Sequence, residues 1–163
     1  MRPLWIPALL LLATSMGGAH STPAAPAITK PNIVLIMADD LGFETLGMYG
    51  GESYDTPQLD RMAASGMRFE HAYSTPLCTP SRVQIMTGRY NHRNYVAFGM
   101  LRPEETTFAH LLREAGYAVG ITGTWQLYGN PGQRKLSAPA VGSLPTEAGF
   151  HEYHLWQVDE GPW

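Results

Sequence analysis

Residues 78–89 read Cys-Thr-Pro-Ser-Arg-Val-Gln-Ile-Met-Thr-Gly-Arg, and this stretch holds the only cysteine of the 163-residue chain. Pro80 predicts the first turn of a helix that ends at Gly88, because the fixed φ of proline suits that turn and its missing N–H is not needed there. Cys78 then lies at the helix N-terminus, where backbone N–H groups favour an anion. Arg82 follows four residues later on the same helix face. The stretch therefore predicts a nucleophile position beside an anion-binding site.

A single cysteine cannot form an internal disulfide, so Cys78 is either a small buried hydrophobic side chain or a reactive group. Its polar and charged neighbours favour the reactive group, because such a run makes a poor core segment. The formal net charge of the chain is -3, and its positive residues are scattered rather than clustered. This distribution gives no basic surface for nucleic acid, so we expect no nucleic-acid partner.

The N-terminal residues do not have the pattern of a folded domain. Arg2 precedes the apolar run from Leu4 to Ala13, and small residues follow, which predicts a secretory signal peptide over residues 1–19. The alternative is a membrane anchor, but the run is shorter than a bilayer requires. Residues 20–31 are rich in Pro and Ala and predict a linker. We therefore expect a domain over residues 32–163, exported to the periplasm or the extracellular space, with no membrane span in the mature chain.

Strand and helix patterns alternate through the remaining sequence. The run from Asn32 to Ala38 is β-branched and continuously apolar, as in a strand buried on both faces of a parallel sheet. Such alternation implies an α/β fold with a mostly parallel sheet sandwiched by helices. The other predicted elements are strands over residues 67–72, 117–122 and 150–158, helices beginning after Thr56 and near Thr107, and a loop over residues 130–148.

Asp39 and Asp40 directly follow the first predicted strand. Two adjacent carboxylates there are costly to desolvate unless a cation compensates them, and both can turn toward one point where the chain leaves the sheet. Carboxylate oxygens select Ca²⁺ or Mg²⁺ over zinc, and sites in open α/β sheets lie at the carboxyl ends of strands. The alternative interpretation is a turn or helix-capping aspartate pair.

In its Cys-Thr-Pro-Ser-Arg opening and its Thr-Gly-Arg end, the stretch 78–89 resembles the signature of the sulfatase family at every defining position. The resemblance extends to residues 31–42, which match the family's first strand and aspartate pair, and to the segment 56–73 before the signature. Residues 116–129 resemble the second signature. The resemblance implies an alkaline-phosphatase-like fold and a sulfuric ester hydrolase that acts on a sulfated carbohydrate or an aryl sulfate.

The resemblance also implies roles for the matching residues. Cys78 would be oxidised by a formylglycine-generating enzyme, and the hydrated aldehyde would supply the attacking oxygen. Asp39 and Asp40, together with the formylglycine made from Cys78, would be ligands of Ca²⁺, with Mg²⁺ as the alternative. Arg82 would orient the hydrated aldehyde and neutralise charge beside it. The implied catalytic residues are thus Cys78 and Arg82.

The second signature departs from the family's Gly-Lys-Trp-His-Leu-Gly, because residues 123–128 read Gly-Thr-Trp-Gln-Leu-Tyr. Residues 124 and 126 are predicted on one strand face, where the family's lysine and histidine would reach the sulfate and the aldehyde hydroxyl. Gln126 retains a hydrogen-bond donor and is predicted to bind substrate. Thr124 supplies no positive charge and is not predicted to be catalytic. Loss of such a donor commonly costs ~3 kcal/mol of barrier.

The family's remaining metal ligands, and its later histidine and lysine, would lie beyond Trp163. The resemblance therefore predicts that these 163 residues form the amino-terminal part of a longer sulfatase domain and are inactive alone. Two other functions stay open from the sequence. One is a phosphonate or phosphate monoester hydrolase of the same fold, since the tetrahedral anion and the metal are similar. The other is a non-catalytic binder of sulfated glycans, which the missing lysine favours.

Overall fold

The computed structural model describes residues 30–129 and 141–156 of the chain. The chain divides into two compact units, residues 1–36 and 37–163. Within the first unit, residues 30–36 are described and form neither helix nor strand. The predicted signal peptide and most of the predicted linker lie outside the described residues. The α-helices and β-strands of the described second unit are α1 (Pro57–Ser65), α2 (Cys78–Thr87), α3 (Phe108–Glu114), β1 (Gly120–Thr124) and β2 (Glu152–Trp156), and three short 3-10 helices span residues Phe43–Thr45, Gly47–Tyr49 and Asn91–Arg93.

Helices α1 and α2 form where the sequence predicts them. Helix α1 begins at Pro57 and ends at Ser65, directly before Gly66, as predicted. The Thr56 side chain does not cap α1; its hydroxyl instead accepts a hydrogen bond from the N–H of Gly47 (2.9 Å) and donates one to Asp60 Oδ1 (3.1 Å). Helix α2 begins at Cys78, two residues before Pro80, and ends at Gly88. The predicted helix is thus confirmed, with its N-terminus at the cysteine itself.

Helix α3 begins after Thr107, as predicted. The Thr107 hydroxyl accepts hydrogen bonds from the N–H groups of Ala109 and His110, and His110 Nδ1 accepts from the N–H of Thr107 in return. This reciprocal cap satisfies backbone donors that would otherwise lack partners. Thr107 Oγ1 also donates to the Ala148 carbonyl, which joins the start of α3 to the segment before β2.

The two described strands pair in parallel, with Gly120 opposite Glu152 and Thr124 opposite Trp156. Strand β1 starts three residues later than predicted, and β2 lies inside its predicted range. At the end of the pair, the N–H of Trp125 continues the ladder by donating to the Trp156 carbonyl at 2.9 Å. A parallel pair together with helices confirms the predicted α/β class. In the described ranges, no helix has the length and apolar character to cross a membrane.

Two predicted strands are absent from the described structure. Residues 32–38 and 67–72 adopt no strand conformation in the described segments. Side chains of the first run, such as Val34 and Ile36, are exposed rather than buried. A strand requires hydrogen bonds from a neighbouring strand, and among the described residues β1 and β2 pair only with each other. The predictions of these two strands are therefore wrong, although the predicted fold class is confirmed.

The core holds α2 against the segment that follows β1. Trp125 and Leu127 are almost completely enclosed, and they cluster with Val83 and Met86 of α2. The Trp125 ring meets Phe150 edge-on at 6.0 Å between centroids. A continuous apolar cluster of this kind is the main favourable term in folding. It fixes the distance between α2 and residues 124–127, which carry the predicted site.

Gly88→Ala tests how much Gly88 contributes to stability as the residue that ends α2. Gly88 has φ 64°, and an added Cβ would meet nothing within 4 Å, so the substitution changes only the conformational preference of the backbone. We expect the free energy of unfolding to fall by about 1 to 2 kcal/mol, measured by urea titration. Gly120→Ala is the matched control, because its added Cβ would lie 3.8 Å from the Glu152 carbonyl without a positive φ. Equal losses in the two variants would contradict the expectation.

Candidate active site

The site is built around the N-terminus of α2, where Cys78 is the first helical residue and is partly buried. The preceding residue, Leu77, is extended and its side chain makes no capping hydrogen bond. Pro80 in the first turn has no N–H to satisfy. No side chain at the N-cap position therefore competes for the backbone N–H groups of this turn, and an anion at this helix end stays a prediction.

Ser81 fixes the loop that leads into Cys78. Its hydroxyl accepts a hydrogen bond from the N–H of Thr75 (3.1 Å) and donates to the carbonyl of Leu77 (3.1 Å). The Ser81 side chain is only 5% exposed, so these bonds are protected from water. The serine of the motif thus has a structural role: it holds the chain entering the helix and thereby the backbone of Cys78.

Arg82 joins three parts of the site. Its side chain is 13% exposed; Nη1 donates to the Thr124 carbonyl at 2.7 Å and Nη2 to Asp39 Oδ2 at 2.8 Å. The Arg82 Nε atom is buried and has no partner among the described residues. One guanidinium therefore brings Asp39 and the end of β1 to the helix that begins with Cys78. The planar guanidinium group has several donors in fixed directions, so it can bind both partners at once.

Asp39 and Asp40 occupy different environments. Asp39 is 41% exposed and is the ion-pair partner of Arg82. Asp40 is exposed and has a left-handed backbone, with φ 51°, which aspartate tolerates better than most residues. Its carboxylate makes no hydrogen bond or ion pair within the described ranges. The two carboxylates are thus consecutive in a turn, with only the first tied to the helix.

The donor chemistry of this pair fits a hard divalent cation, but the described residues do not complete a coordination sphere. Ca²⁺ takes 6–8 oxygen ligands. In the segments that the structure describes, no three His, Cys, Asp or Glu side chains come together as a possible metal site. Asp39 and Asp40 therefore stay predicted ligands, as does Cys78 in its formylglycine form, and further oxygen donors are required beside them.

The geometry after β1 differs from the prediction that Thr124 and Gln126 share a strand face. Strand β1 ends at Thr124, and Gln126 has a left-handed backbone with φ 55°. Its neighbours Trp125 and Leu127 are both buried in the core, and the Leu127 carbonyl accepts from the N–H of Leu101 at 2.8 Å. The left-handed backbone of Gln126 interrupts the extended conformation that strand alternation requires. Gln126 Oε1 is buried and lacks a partner among the described residues.

Sequence reasoning missed three supporting residues near α2. Thr79, beside Cys78, is completely buried, and its hydroxyl accepts from the N–H of Gly99 at 3.0 Å. Asn91 Nδ2 donates to the Pro80 carbonyl at 3.0 Å, and Asn94 Nδ2 donates to Thr87 Oγ1 at 2.8 Å. The partners are 20, 11 and 7 residues apart in the sequence, which is beyond the spacing of helix and turn patterns. The one sequence signal for Thr79 is its place directly after the motif cysteine.

The end of the motif is structural as well. Thr87 Oγ1 donates to the Val83 carbonyl at 2.6 Å inside the last turn of α2. Arg89 Nη1 lies 2.7 Å from Glu105 Oε2, and the Glu105 side chain is only 8% exposed. The Thr-Gly-Arg segment therefore ends the helix and ties it to the chain before α3. These contacts lie at the opposite end of α2 from Cys78.

The fold and site define an α/β protein with a cysteine at a helix N-terminus beside a parallel sheet. Comparison with known families gives a specific result: the family model described as Sulfatase matches residues 31–157. The chain belongs to the sulfatase family.

Individual relatives agree with this assignment. Steryl-sulfatase of Mus musculus is 42% identical over 141 residues, which cover 77% of this chain and 23% of the relative. Arylsulfatase A of Homo sapiens is 40% identical over 167 residues, which cover 96% of this chain and 30% of the relative. The chain spans between 22% and 31% of the length of the curated relatives it matches.

Solved structures show the same fold. One, described in work on the metabolism of multiple glycosaminoglycans by Bacteroides thetaiotaomicron, superposes with a TM-score of 0.64 at 35% identity and covers 78% of this chain and 28% of its own. Another was solved with its substrate D-glucosamine-2-N,6-O-disulfate; its TM-score is 0.58 at 36% identity, covering 63% of this chain and 22% of its own. These neighbours confirm the alkaline-phosphatase-like fold that the resemblance implied.

Proposed function

We propose that this chain carries the nucleophile of a sulfuric ester hydrolase, with Cys78 converted to formylglycine. Family membership supports the reaction class. The observation that carries the site assignment is the Arg82 guanidinium, which reaches Asp39 at 2.8 Å and the Thr124 carbonyl at 2.7 Å from the helix that begins with Cys78. Three segments that the sequence predicted to share one site thus meet at one side chain.

The chemistry follows from the hydrate of the aldehyde at position 78. One hydroxyl oxygen attacks the sulfur of the ester, the S–O bond to the alcohol breaks, and the alcohol takes up a proton. The second hydroxyl then loses its proton as the C–O bond to sulfate breaks and the carbonyl reforms, a route that an ordinary serine ester lacks, and addition of water to the aldehyde restores the hydrate. Arg82 is permanently charged and stabilises negative charge beside this position. The backbone N–H groups at the N-terminus of α2 also favour negative charge at this position.

Asp39 and Asp40 would hold the divalent cation of the site, Ca²⁺ or Mg²⁺. When bound, such an ion polarises sulfate oxygens and lowers the pKa of a coordinated hydroxyl. The Arg82 contact holds Asp39 in place through one carboxylate oxygen and leaves the other available. Because two carboxylates are fewer than a calcium site requires, we expect weak calcium binding by these residues alone.

Substrates proposed for the site are aryl sulfates and sulfated carbohydrates. The relatives are named as aryl and steryl sulfatases, and one structural neighbour was solved with a disulfated glucosamine. Maturation would require a formylglycine-generating enzyme, since a plain thiol does not provide the hydrate. We also propose export, because the predicted signal peptide precedes the domain; N-terminal sequencing of the protein from cell fractions tests this.

The test of the proposed function uses two proteins. The first is the 163-residue chain coexpressed with a formylglycine-generating enzyme, in which mass spectrometry of the Cys78 peptide detects the aldehyde. The second is a hybrid enzyme, in which this chain replaces the matching segment of human arylsulfatase A, because the chain spans only 30% of that relative. We expect aldehyde in both proteins, and sulfate release by the hybrid enzyme.

Each alternative function gives a different result in these assays. Faster turnover of a matched phosphate ester than of the sulfate ester would indicate a phosphate monoester hydrolase. An unmodified thiol at Cys78 in a competent host, with retained binding of sulfated glycans, would indicate a non-catalytic binder. Either result would contradict the proposed function.

Thr124→Lys restores the charged residue that the family carries at this position. We expect kcat of the hybrid enzyme for an aryl sulfate to rise by up to ~100-fold, since one charge-assisted donor in such a site is commonly worth ~3 kcal/mol. Arg82 contacts the backbone carbonyl of Thr124 and not its side chain, so the substitution leaves that hydrogen bond in place.

Thr122→Lys is the matched control for this variant, because Thr122 is an exposed threonine of the same strand, two positions before Thr124. We expect no change in kcat from the control. A rise in both variants would indicate a general charge effect on substrate attraction, and no rise in Thr124→Lys would show that the threonine does not limit the rate.

A further inference from the structure

Thr79 connects the first turn of α2 to two distant segments. Its side chain is completely buried, and its hydroxyl accepts a hydrogen bond from the N–H of Gly99 at 3.0 Å. The same oxygen lies 3.5 Å from the carbonyl oxygen of Gln126, toward which it donates. Gly99 and Gln126 are 20 and 47 residues away in the sequence. The hydroxyl group of Thr79, the residue next to Cys78, thus contacts the segment that follows β1.

Gln126 needs such support because its backbone conformation is unfavourable. Its φ of 55° lies in the left-handed region, which a residue with a side chain as long as glutamine rarely adopts. Burial of Trp125 and Leu127 fixes the chain on both sides, and the carbonyl of Gln126 itself points to Thr79. The Gln126 Oε1 atom has no partner among the described residues. The backbone of Gln126, rather than a bond to Oε1, therefore decides where its amide group lies.

We propose that Thr79 is a positioning residue: its hydroxyl holds the Gln126 backbone in the left-handed conformation and so sets the location of the Gln126 amide relative to Cys78. This inference rests on the proposed function and on the predicted contact of the Gln126 amide with the sulfate ester. Thr79 cannot itself contact substrate, because none of its surface is accessible. Its effect on the reaction passes through Gln126.

Substitution can separate the hydroxyl from the shape of Thr79. Thr79→Val keeps the branched shape and removes the hydroxyl, whereas Thr79→Ser keeps the hydroxyl and removes the methyl group. Thr87→Val is the matched control in the same helix, because the Thr87 hydroxyl bonds to the Val83 carbonyl at the other end of α2. A general effect of Thr→Val on the helix would therefore appear in both valine variants.

The first experiment needs no activity and uses the 163-residue chain labelled for NMR. In Thr79→Val, we expect the Gly99 amide to exchange with solvent at least about tenfold faster and the Gln126 Cα and Cβ shifts to leave the left-handed range. Thr79→Ser and Thr87→Val should retain both signatures. Unchanged Gln126 shifts in Thr79→Val would overturn the proposal. If that variant does not fold, loss of the signatures in Thr79→Ser would overturn it equally, since the hydroxyl is kept.

The second experiment is a double-mutant cycle in the matured hybrid enzyme. We expect Thr79→Val to lower kcat/KM about tenfold in the presence of Gln126 and to have no further effect in Gln126→Ala, because the two residues act as one unit. Additive losses would show that Thr79 does not act through Gln126. Absence of turnover in the unsubstituted hybrid enzyme would count against the proposed function, and the NMR result would then decide the positioning role by itself.

Discussion

Cys78→Ala is expected to abolish aldehyde formation and to lower sulfate release by the hybrid enzyme by at least about a thousandfold. Loss of a nucleophile typically leaves only the residual catalysis of the surrounding binding groups. The chain contains no second cysteine that could substitute. Cys78 is also only partly buried and is not a member of the core cluster, so alanine there leaves that cluster intact. Mass spectrometry of the peptide and release of sulfate from an aryl sulfate measure the two effects.

The control for this variant is Ser53→Ala, at an exposed position outside the motif. We expect it to form the aldehyde and release sulfate as the unsubstituted protein does. Sulfate release by Cys78→Ala at an undiminished rate would show that the nucleophile lies elsewhere. Unchanged urea unfolding of Cys78→Ala would establish that its loss of activity is chemical.

Arg82→Lys is expected to lower kcat of the hybrid enzyme by about a hundredfold or more. Lysine keeps the positive charge but presents a single ammonium, which cannot donate in fixed directions to both Asp39 and the Thr124 carbonyl. Loss of one preorganised donor in a site costs ~10²–10³ in kcat. We also expect the free energy of unfolding of the chain to fall by about 2 kcal/mol, because a charge-assisted hydrogen bond of a largely buried side chain is lost.

Arg89→Lys is the matched control, because it makes the same change after the opposite end of α2. Arg89 is 46% exposed and pairs with Glu105, so we expect a loss of less than about 1 kcal/mol and no change in kcat. Rates are divided by the aldehyde content of each sample, so that a change in maturation is not counted as a change in kcat. Equal effects of the two variants would remove the special role given to Arg82.

The helices could be predicted because their determinants are local. Proline in the first turn of α1 and α2, glycine after α2 and threonine before α3 act within a few residues of the helix ends they specify. Strands depend instead on partners that are distant in sequence. The run at residues 32–38 has the composition of a buried strand, yet it forms no strand in the described structure. Apolar pattern alone could not show this.

The same distinction between local and distant determinants applies to the candidate site. The motif placed Cys78 and Arg82 one helical turn apart, which the structure confirms. The conformation of Gln126 could not be predicted, because a left-handed backbone is rare for glutamine and no residue beside it signals one. Thr79 was overlooked because its partners, Gly99 and Gln126, become neighbours only after folding.

The hydrogen bond from Arg82 to residue 124 has a consequence for how this position evolves. Because the acceptor is a main-chain carbonyl, which every amino acid supplies, exchange of the side chain at position 124 does not release the arginine. Natural drift, or a mutant library, can therefore sample side chains there while the helix keeps its anchor. Position 124 is thus a place where the site can lose or regain a charged side chain without loss of this hydrogen bond.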